Sequence, residues 1–305
     1  MKKLLVIGSA LIASFIFGIS FVWSKIAFHD FGPISTITIR LIISAIFLLG
    51  FSKLFRLKLK IQKKDWKTMI IGAILSPFLT FFAEYEGLTR INATDASVIV
   101  STLPLFTPIA AYFFLKERFK AIFFIGLIIS SIGVFITLTS RDFQFNASPT
   151  GVIIESSMVI AAVLYSVVQK NLCQSYNPII IILYQNTISV LLYLPFLYFM
   201  EWEQLISVKP SIESIRSMLL LAIFASSVAF ILYTYSINKL GASKANLYFN
   251  LLPVFTAITA FFYLNEKLTT HKIIGIIIVI GGLYLSQTKI SKTLVKKTKK
   301  QLSHK

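Results

Sequence analysis

Leu103-Pro104-Leu105-Phe106-Thr107 and Leu252-Pro253-Val254-Phe255-Thr256 are two versions of one stretch. Each opens a block that runs on to a glutamate and then to two glycines seven apart. These are Glu117, Gly126 and Gly133 in the first copy, and Glu266, Gly275 and Gly282 in the second. A shift of 149 positions lays residues 93–139 on residues 242–288 without a gap. Two apolar segments resemble each other easily by chance; a shared proline, glutamate and glycine pair in fixed register is a repeat, and a repeat fixes the architecture. Upstream of the blocks a weaker correspondence holds at a shift of 145, pairing Lys25 with Lys170, Pro33 with Pro178 and Arg40 with Gln185.

The rest of the composition says what the repeat is made of. Of 305 residues, 56% are hydrophobic and only 14% charged, against about a quarter charged in a soluble domain. The apolar residues fall in runs of roughly 18 to 22, the length of a helix that crosses a hydrocarbon core. Alternating strands of about ten residues, the mark of a spanning barrel, are absent from the pattern. The sequence predicts an all-α integral membrane protein of ten transmembrane helices, near 4–23, 33–52, 67–86, 93–115, 120–139, 150–169, 179–199, 216–236, 245–264 and 270–288. The apolar N-terminal run after Lys2 and Lys3 imitates a signal peptide, and is expected to be an uncleaved first span.

The net charge of +18 is not a nucleic-acid footprint, because the positives sit in connections rather than on a soluble domain. Lys53, Arg56, Lys58, Lys60, Lys63, Lys64 and Lys67 follow span 2; Lys116, Arg118 and Lys120 follow span 4; the tail from Lys289 is rich in lysine. With ten spans all of these fall on one side, the cytoplasm by the positive-inside rule, and Glu201, Glu203 and Glu213 fall outside. Both termini are then cytoplasmic, in a cell (inner) membrane. Five spans precede residue 145 and five follow it. An odd number per half turns the halves over, so the chain reads as two inverted five-helix repeats (1–144 and 145–289, then a basic tail, 290–305) around a central cavity, an arrangement typical of secondary transporters.

These features resemble the EamA-domain proteins of the drug/metabolite transporter superfamily. The resemblance rests on the two proline-centred blocks with their glutamates and glycines, on Pro33 with Arg40, and on Glu84-Tyr85-Glu86-Gly87-Leu88 running into Ala93-Thr94-Asp95-Ala96-Ser97. It covers nearly the whole chain. It implies ten helices enclosing a cavity and a transporter of small metabolites such as amino acids or drugs, many members being exporters. An uptake carrier or exchanger of the same fold is the alternative. An integral-membrane lipid enzyme, which needs clustered His, Asp or Ser at one interface, is disfavoured, and a non-transporting partner subunit is the remaining reading.

Candidate functional residues follow from what is costly in a membrane. Ionisable groups within spans are functional candidates by default, which selects Arg40, Glu84 and Glu155. A carboxylate paired with Arg40 would suit a cationic or zwitterionic substrate, or proton coupling at Glu84. Pro104 and Pro253 interrupt helices 4 and 9 and read as gating hinges or as static kinks. Ser97 with Ser101, and Asn246 with Asn250, lie four apart and share a helix face, as substrate contacts or as polar glue between helices. Trp23, Tyr165, Tyr233 and Tyr235 line the cavity or anchor helices at the interface. Glu117 and Glu266 suit helix ends, Glu86 and Asp95 the outer surface, and the glycines at spacing seven close helix packing. The lone Cys173 allows no intrachain disulfide. His29, His271 and His304 are scattered, so neither a metal site nor a cofactor is expected, and no nucleotide-binding loop pattern is present. The expected partners are a small-molecule substrate and the lipid bilayer, the chain acting as monomer or homodimer.

Overall fold

The computed structural model describes residues 2–116, 119, 121–138, 148–265 and 269–287. Glu117, Arg118, Lys120, Glu266 and the basic tail lie outside the described residues. Among the described residues ten helical passages follow one another: α1 (Lys2–Ala27), α2 (Pro33–Leu54), α3 (Lys63–Leu88), α4 (Ala93–Leu115), α5 (Ala121–Leu138), α6 (Pro149–Leu172), α7 (Pro178–Ser207), α8 (Ile212–Leu240), α9 (Ala242–Tyr263) and α10 (Thr270–Gln287). Eight are long and apolar enough to cross a membrane; the apolar parts of α5 and α10 are shorter, Ala121–Gly133 and Ile273–Ser286. No strand occurs among the described residues. Large apolar side chains such as Phe113, Phe199, Phe262 and Ile277 stand exposed around the bundle. Such a surface is a liability in water and the expected one in lipid.

The inverted relation between the halves is visible at the seam of α5 and α10. A Cβ on Gly126 would lie 2.6 Å from the Gly282 carbonyl oxygen, and one on Gly282 2.7 Å from that of Gly126. Gly133 meets the Gly275 carbonyl oxygen in the same way at 2.8 Å. The numbering rises along one helix as it falls along the other, so the two run antiparallel. Each glycine touches the counterpart of the other, the signature of a twofold contact. The axis passes near Ser130, whose hydroxyl donates to the carbonyl of Val279, 149 positions on, at 3.3 Å. Glycine is required here because backbone touches backbone.

Among the described residues five helices are interrupted, α7 by wide π turns over Leu197–Glu201. Ser76 leaves helical geometry in the middle of α3 (φ −152°, ψ 130°), just before Pro77. Pro77 has no N–H for the carbonyl of Ala73; Ser189 of α7 donates its hydroxyl to that oxygen instead, at 3.0 Å. Freed carbonyls at this depth need such a neighbour. α4 is broken at Ser101 and Thr102, and α9 tightens to 3-10 turns over Leu247–Leu251. Pro104 and Pro253 each sit at the start of the helical segment that follows, where a missing N–H costs nothing. The prolines restart their helices, and the break lies just before each. α8 has wide π turns over Leu221–Ala229.

The connections pair in an inverted pattern. At one end Glu201 accepts from the N–H groups of Ile34 (3.1 Å) and Ser35 (2.7 Å), an anion on the positive end of α2. Beside it Asp30 accepts from the Ser211 N–H and hydroxyl at 2.7 and 2.6 Å. At the other end Tyr176 donates to Asp65 at 2.6 Å and Tyr184 to the Leu59 carbonyl at 2.7 Å. The α1–α2 loop is thus tied to the α7–α8 connection, and the α6–α7 loop to the α2–α3 connection.

The Asp30 tie gives a pH prediction. Hydrogen bonds from the Ser211 hydroxyl, then from its backbone, hold the Asp30 carboxyl well below the usual carboxylate range. A depressed value means the stabilisation is complete above the ordinary carboxylate range and is lost as pH falls through the depressed one. Amide exchange at Ser211 is expected to keep its protection from pH 7 down to about 4 and to lose it only in stronger acid. Asp30→Asn should raise the exchange at neutral pH, and equal protection in the variant would refute the tie.

Candidate functional site

A cavity of about 60 Å3 lies between the halves. Its walls come in pairs related by the same two shifts: Phe17 with Ala162 and Ser20 with Tyr165 from α1 and α6, Phe81 with Phe230 and Glu84 with Tyr233 from α3 and α8, and Val100 with Phe249 and Leu103 with Leu252 from α4 and α9. The cavity therefore lies on the axis that passes between Ser130 and Val279. Ser76 and Thr80 of the α3 break, Phe21 of α1, Met158 of α6 and Arg40 of α2 complete the lining.

Seven of the seventeen lining residues are aromatic. Phe17 stacks on Phe249 at 5.7 Å and meets Phe230 edge-on at 5.1 Å; Tyr165 also meets Phe230, at 6.3 Å. The two lining tyrosines direct their hydroxyls to other side chains. Tyr233 donates to Asn246 at 2.6 Å, and Tyr165 donates to Gln185 at 3.0 Å and accepts from Gln169 at 2.6 Å. A buried hydroxyl so satisfied leaves the ring as the group offered to a solute.

Two lining groups are ionisable, Arg40 and Glu84. Arg40 is buried, donates from Nε to Ser226 at 2.7 Å and from Nη1 to the Tyr85 hydroxyl, and lies 4.3 Å over the Phe81 ring. No carboxylate of a described residue is within 4.0 Å of it. The expected Arg40–carboxylate pair is not in direct contact: hydroxyls and an aromatic face lie against the guanidinium, while its charge acts on Glu84 across the cavity. Glu84, 8% exposed, makes no hydrogen bond to a described residue. One turn on, Gly87 leaves room for Glu155: a Cβ there would lie 2.3 Å from Glu155 Oε2. Both carboxyl oxygens of Glu155 are buried with no hydrogen-bond partner. Unpaired polar groups at such depth are costly, which keeps Glu155 with Glu84 as a functional candidate.

Each half builds a matching polar node behind the cavity. Ser24 and Arg40 both donate to the Tyr85 hydroxyl in the first half. At the equivalent positions of the second half Gln169 donates to Thr234 at 3.0 Å and exchanges bonds with Gln185. Lysines repeat in the same way. Lys25 donates to the Leu88 carbonyl at the end of α3, and Lys170 to the Ile237 and Asn238 carbonyls at the end of α8. A cation on the last carbonyls of a helix suits its dipole.

Of the residues singled out in the sequence, Arg40, Glu84, Tyr165 and Tyr233 meet at this cavity. The others are placed elsewhere. Asn246 donates to Thr107 at 2.9 Å, and Asn250 donates to Ser130 at 2.6 Å; both join helices across the halves. Ser97 and Ser101 turn back onto the Thr94 and Val98 carbonyls of their own helix. Trp23 packs among Ile16, Ala27, Leu221 and Ala225. Cys173 is buried near the Thr234 carbonyl. The described residues contain no cluster of His, Cys, Asp or Glu able to hold a metal. The sequence reading passed over Tyr85, the phenylalanine walls and Thr80. The two shifts were the available signal: projecting Tyr165 and Tyr233 through them lands on Ser20 and Glu84.

A cavity on the axis between two inverted helical repeats defines a membrane transporter. The EamA-like transporter family model matches residues 4–139 and again 150–288, and the chain belongs to that family. Similar proteins include an uncharacterized transporter of Archaeoglobus fulgidus, 27% identical over 291 residues that cover 93% of this chain and 98% of the relative. Another is the uncharacterized transporter YoaV of Bacillus subtilis, 23% identical over 283 residues, 92% of this chain and 96% of the relative. A solved protein crystal structure superposes with a TM-score of 0.71 at 15% identity, covering 92% of this chain and 96% of the other; this likeness is one of fold.

Proposed function

We propose that the protein is a secondary transporter of small organic solutes that works by alternating access and exports them from the cell. The observation that carries this is the pairing of the cavity wall. Each lining pair puts equivalent positions of the two halves on opposite sides of one chamber, so either half can open while the other closes. Inverted repeats with a site at their interface suit that cycle. Arg40 and Glu84, with the Tyr165 and Tyr233 rings, form the substrate contacts. One cationic and one anionic wall group in an aromatic chamber favour a solute with an apolar body that carries both charges, an amino acid or a related metabolite or drug. Asn246, Asn250, Ser97, Ser101 and Trp23 serve the scaffold, and Pro104 and Pro253 restart the gate helices. The repeats comprise 1–144 and 145–289. The lysine-rich connections put both termini in the cytoplasm of an inner-membrane protein, active as monomer or homodimer.

Proton coupling is assigned to Glu84, the lining carboxyl without a hydrogen-bond partner among the described residues. Purified protein in proteoliposomes is expected to move amino-acid analogues or toxic metabolites from a panel, faster with an imposed proton gradient. Glu84→Gln should remove the gradient-dependent part, a fall of about tenfold or more. Unchanged gradient dependence in Glu84→Gln would end the coupling assignment. Counterflow in inverted vesicles separates export from uptake or exchange.

A further inference from the structure

The two gate helices are held differently. In one seam α9 lies against α1 with backbone contact. A Cβ on Gly18 would come within 2.7 Å of Phe255 Cβ and 3.1 Å of the Leu252 carbonyl oxygen. Thr256 crosses the seam to donate to the Gly18 carbonyl at 2.8 Å, and Phe15 meets the Phe255 ring edge-on at 5.2 Å. The equivalent seam joins α4 to α6. The same shifts convert Gly18 into Val163, Phe15 into Ile160, Phe255 into Phe106 and Thr256 into Thr107. Here a valine stands where the close approach needs glycine. Thr107 donates to Leu103 of its own helix at 2.8 Å instead of crossing. The space between Phe106, Ile160 and Val163 is part of a crevice of about 510 Å3. On the α4 side this crevice begins at Thr102, in the helix break, and the next residue, Leu103, lines the central cavity.

We propose that Val163 is a positioning residue that keeps the α4–α6 seam open, so that α4 is the gate helix that swings while α9 and α1 move as one body. The inference rests on the alternating-access reading and adds that the two gates are unequal. The physical ground is direct. A seam closed by backbone contact, an aromatic pair and a hydrogen bond must lose all three to part. The α4–α6 seam is packed too, but it has none of these three contacts to break. Packed interfaces change state in discrete steps, and the seam with fewer contacts to break steps first. The break at Ser101 and Thr102 supplies the local freedom, since a gap in the helical ladder absorbs backbone rotation.

Paired cysteines in a Cys173→Ser background test this. Phe15→Cys with Phe255→Cys spans the closed seam, and Phe106→Cys with Ile160→Cys spans the equivalent open one. Bridged by a short bifunctional thiol reagent, the 15–255 pair is expected to leave uptake within about twofold of the unbridged protein, and the 106–160 pair to lower it about tenfold or more, reversibly on reduction. Loss of uptake on bridging 15–255, or full uptake with 106–160 bridged, overturns the proposal. Spin labels on the same pairs read the seams without transport. The 106–160 distance distribution should be broad and the 15–255 distribution narrow, and Val163→Gly should shorten and narrow the former. Equal widths, or no change in Val163→Gly, also overturn it. If wild-type protein moves no solute, the transport reading fails, while the label distances still decide whether the seams differ.

Discussion

Arg40→Lys is expected to cost about 3 kcal/mol of stability and to lower transport about a hundredfold, although the charge is kept. Arginine holds three partners at once here: Ser226 through Nε, the Tyr85 hydroxyl through Nη1, and the Phe81 ring beneath its plane. Each hydrogen bond from a charged group contributes about 1.5–3 kcal/mol, and a desolvated cation over a ring about 2 kcal/mol. Lysine has one compact ammonium and cannot face two hydroxyls and a ring together. It recovers part of the sum and leaves one buried hydroxyl short of a partner. Because Arg40 joins α2 to α3 and to α8, the loss reaches the cavity wall as well as the fold. Thermal unfolding of the purified protein in detergent, followed with initial uptake rates, measures both. Uptake at the wild-type rate with an unchanged melting point would show that the fork is dispensable. A double cycle with Tyr85→Phe isolates the Nη1 bond: if it matters, the two losses will not add.

Gly282→Val is expected to unfold or dissociate the α5–α10 seam, at about 3 kcal/mol or more. The added carbon would lie 2.4 Å from the Ser130 amide nitrogen and 2.7 Å from the Gly126 carbonyl oxygen. Both are backbone atoms, so no rotamer change relieves the contact and the helices must part. Parting also breaks the bond from Ser130 to Val279, and it disturbs Ser130 as the acceptor of the bond from Asn250 of α9. Gly281 is the control. A Cβ there meets nothing within 4 Å, so Gly281→Val changes only helix propensity, by a few tenths of a kcal/mol. Melting curves for the two variants, one residue apart, should separate by many degrees. Equal curves would remove the close-packing account of the glycine pairs.

The fold was open to reading because membrane helices announce themselves by length and because the repeat is gapless where it is strongest. Pro104 and Pro253, Gly126 and Gly275, and Gly133 and Gly282 sit in equivalent places in three dimensions as they do in sequence. The glycine spacing foretold the contact that the seam makes. The site was harder to read, for two physical reasons. A polar side chain in a transmembrane helix can face a cavity or a neighbouring helix, and spacing along its own helix does not tell which. Asn246 and Asn250 share a face, yet that face meets Thr107 and Ser130. Arg40 was expected to find a carboxylate, but the partners it has, a tyrosine, a serine and a phenylalanine, carry no charge and left no mark in a search for opposite signs. Five of the seventeen residues of the cavity wall are phenylalanine, which looks in sequence like any lipid-facing residue.

The reciprocal contact around Ser130 and Val279 has a consequence for where the molecule rests. If the halves were identical in sequence, the twofold would make the form open to one side and the form open to the other equal in energy, and the two would be equally populated. Every preference between them must then come from positions where equivalent residues differ: Val163 against Gly18, Glu84 against Tyr233, Arg40 against Gln185. About 1.4 kcal/mol at such positions is enough for a tenfold bias. In a protein that alternates as proposed, the resting orientation is set by the positions where the halves differ, and exchanging one such pair between the halves should push the equilibrium toward the opposite face.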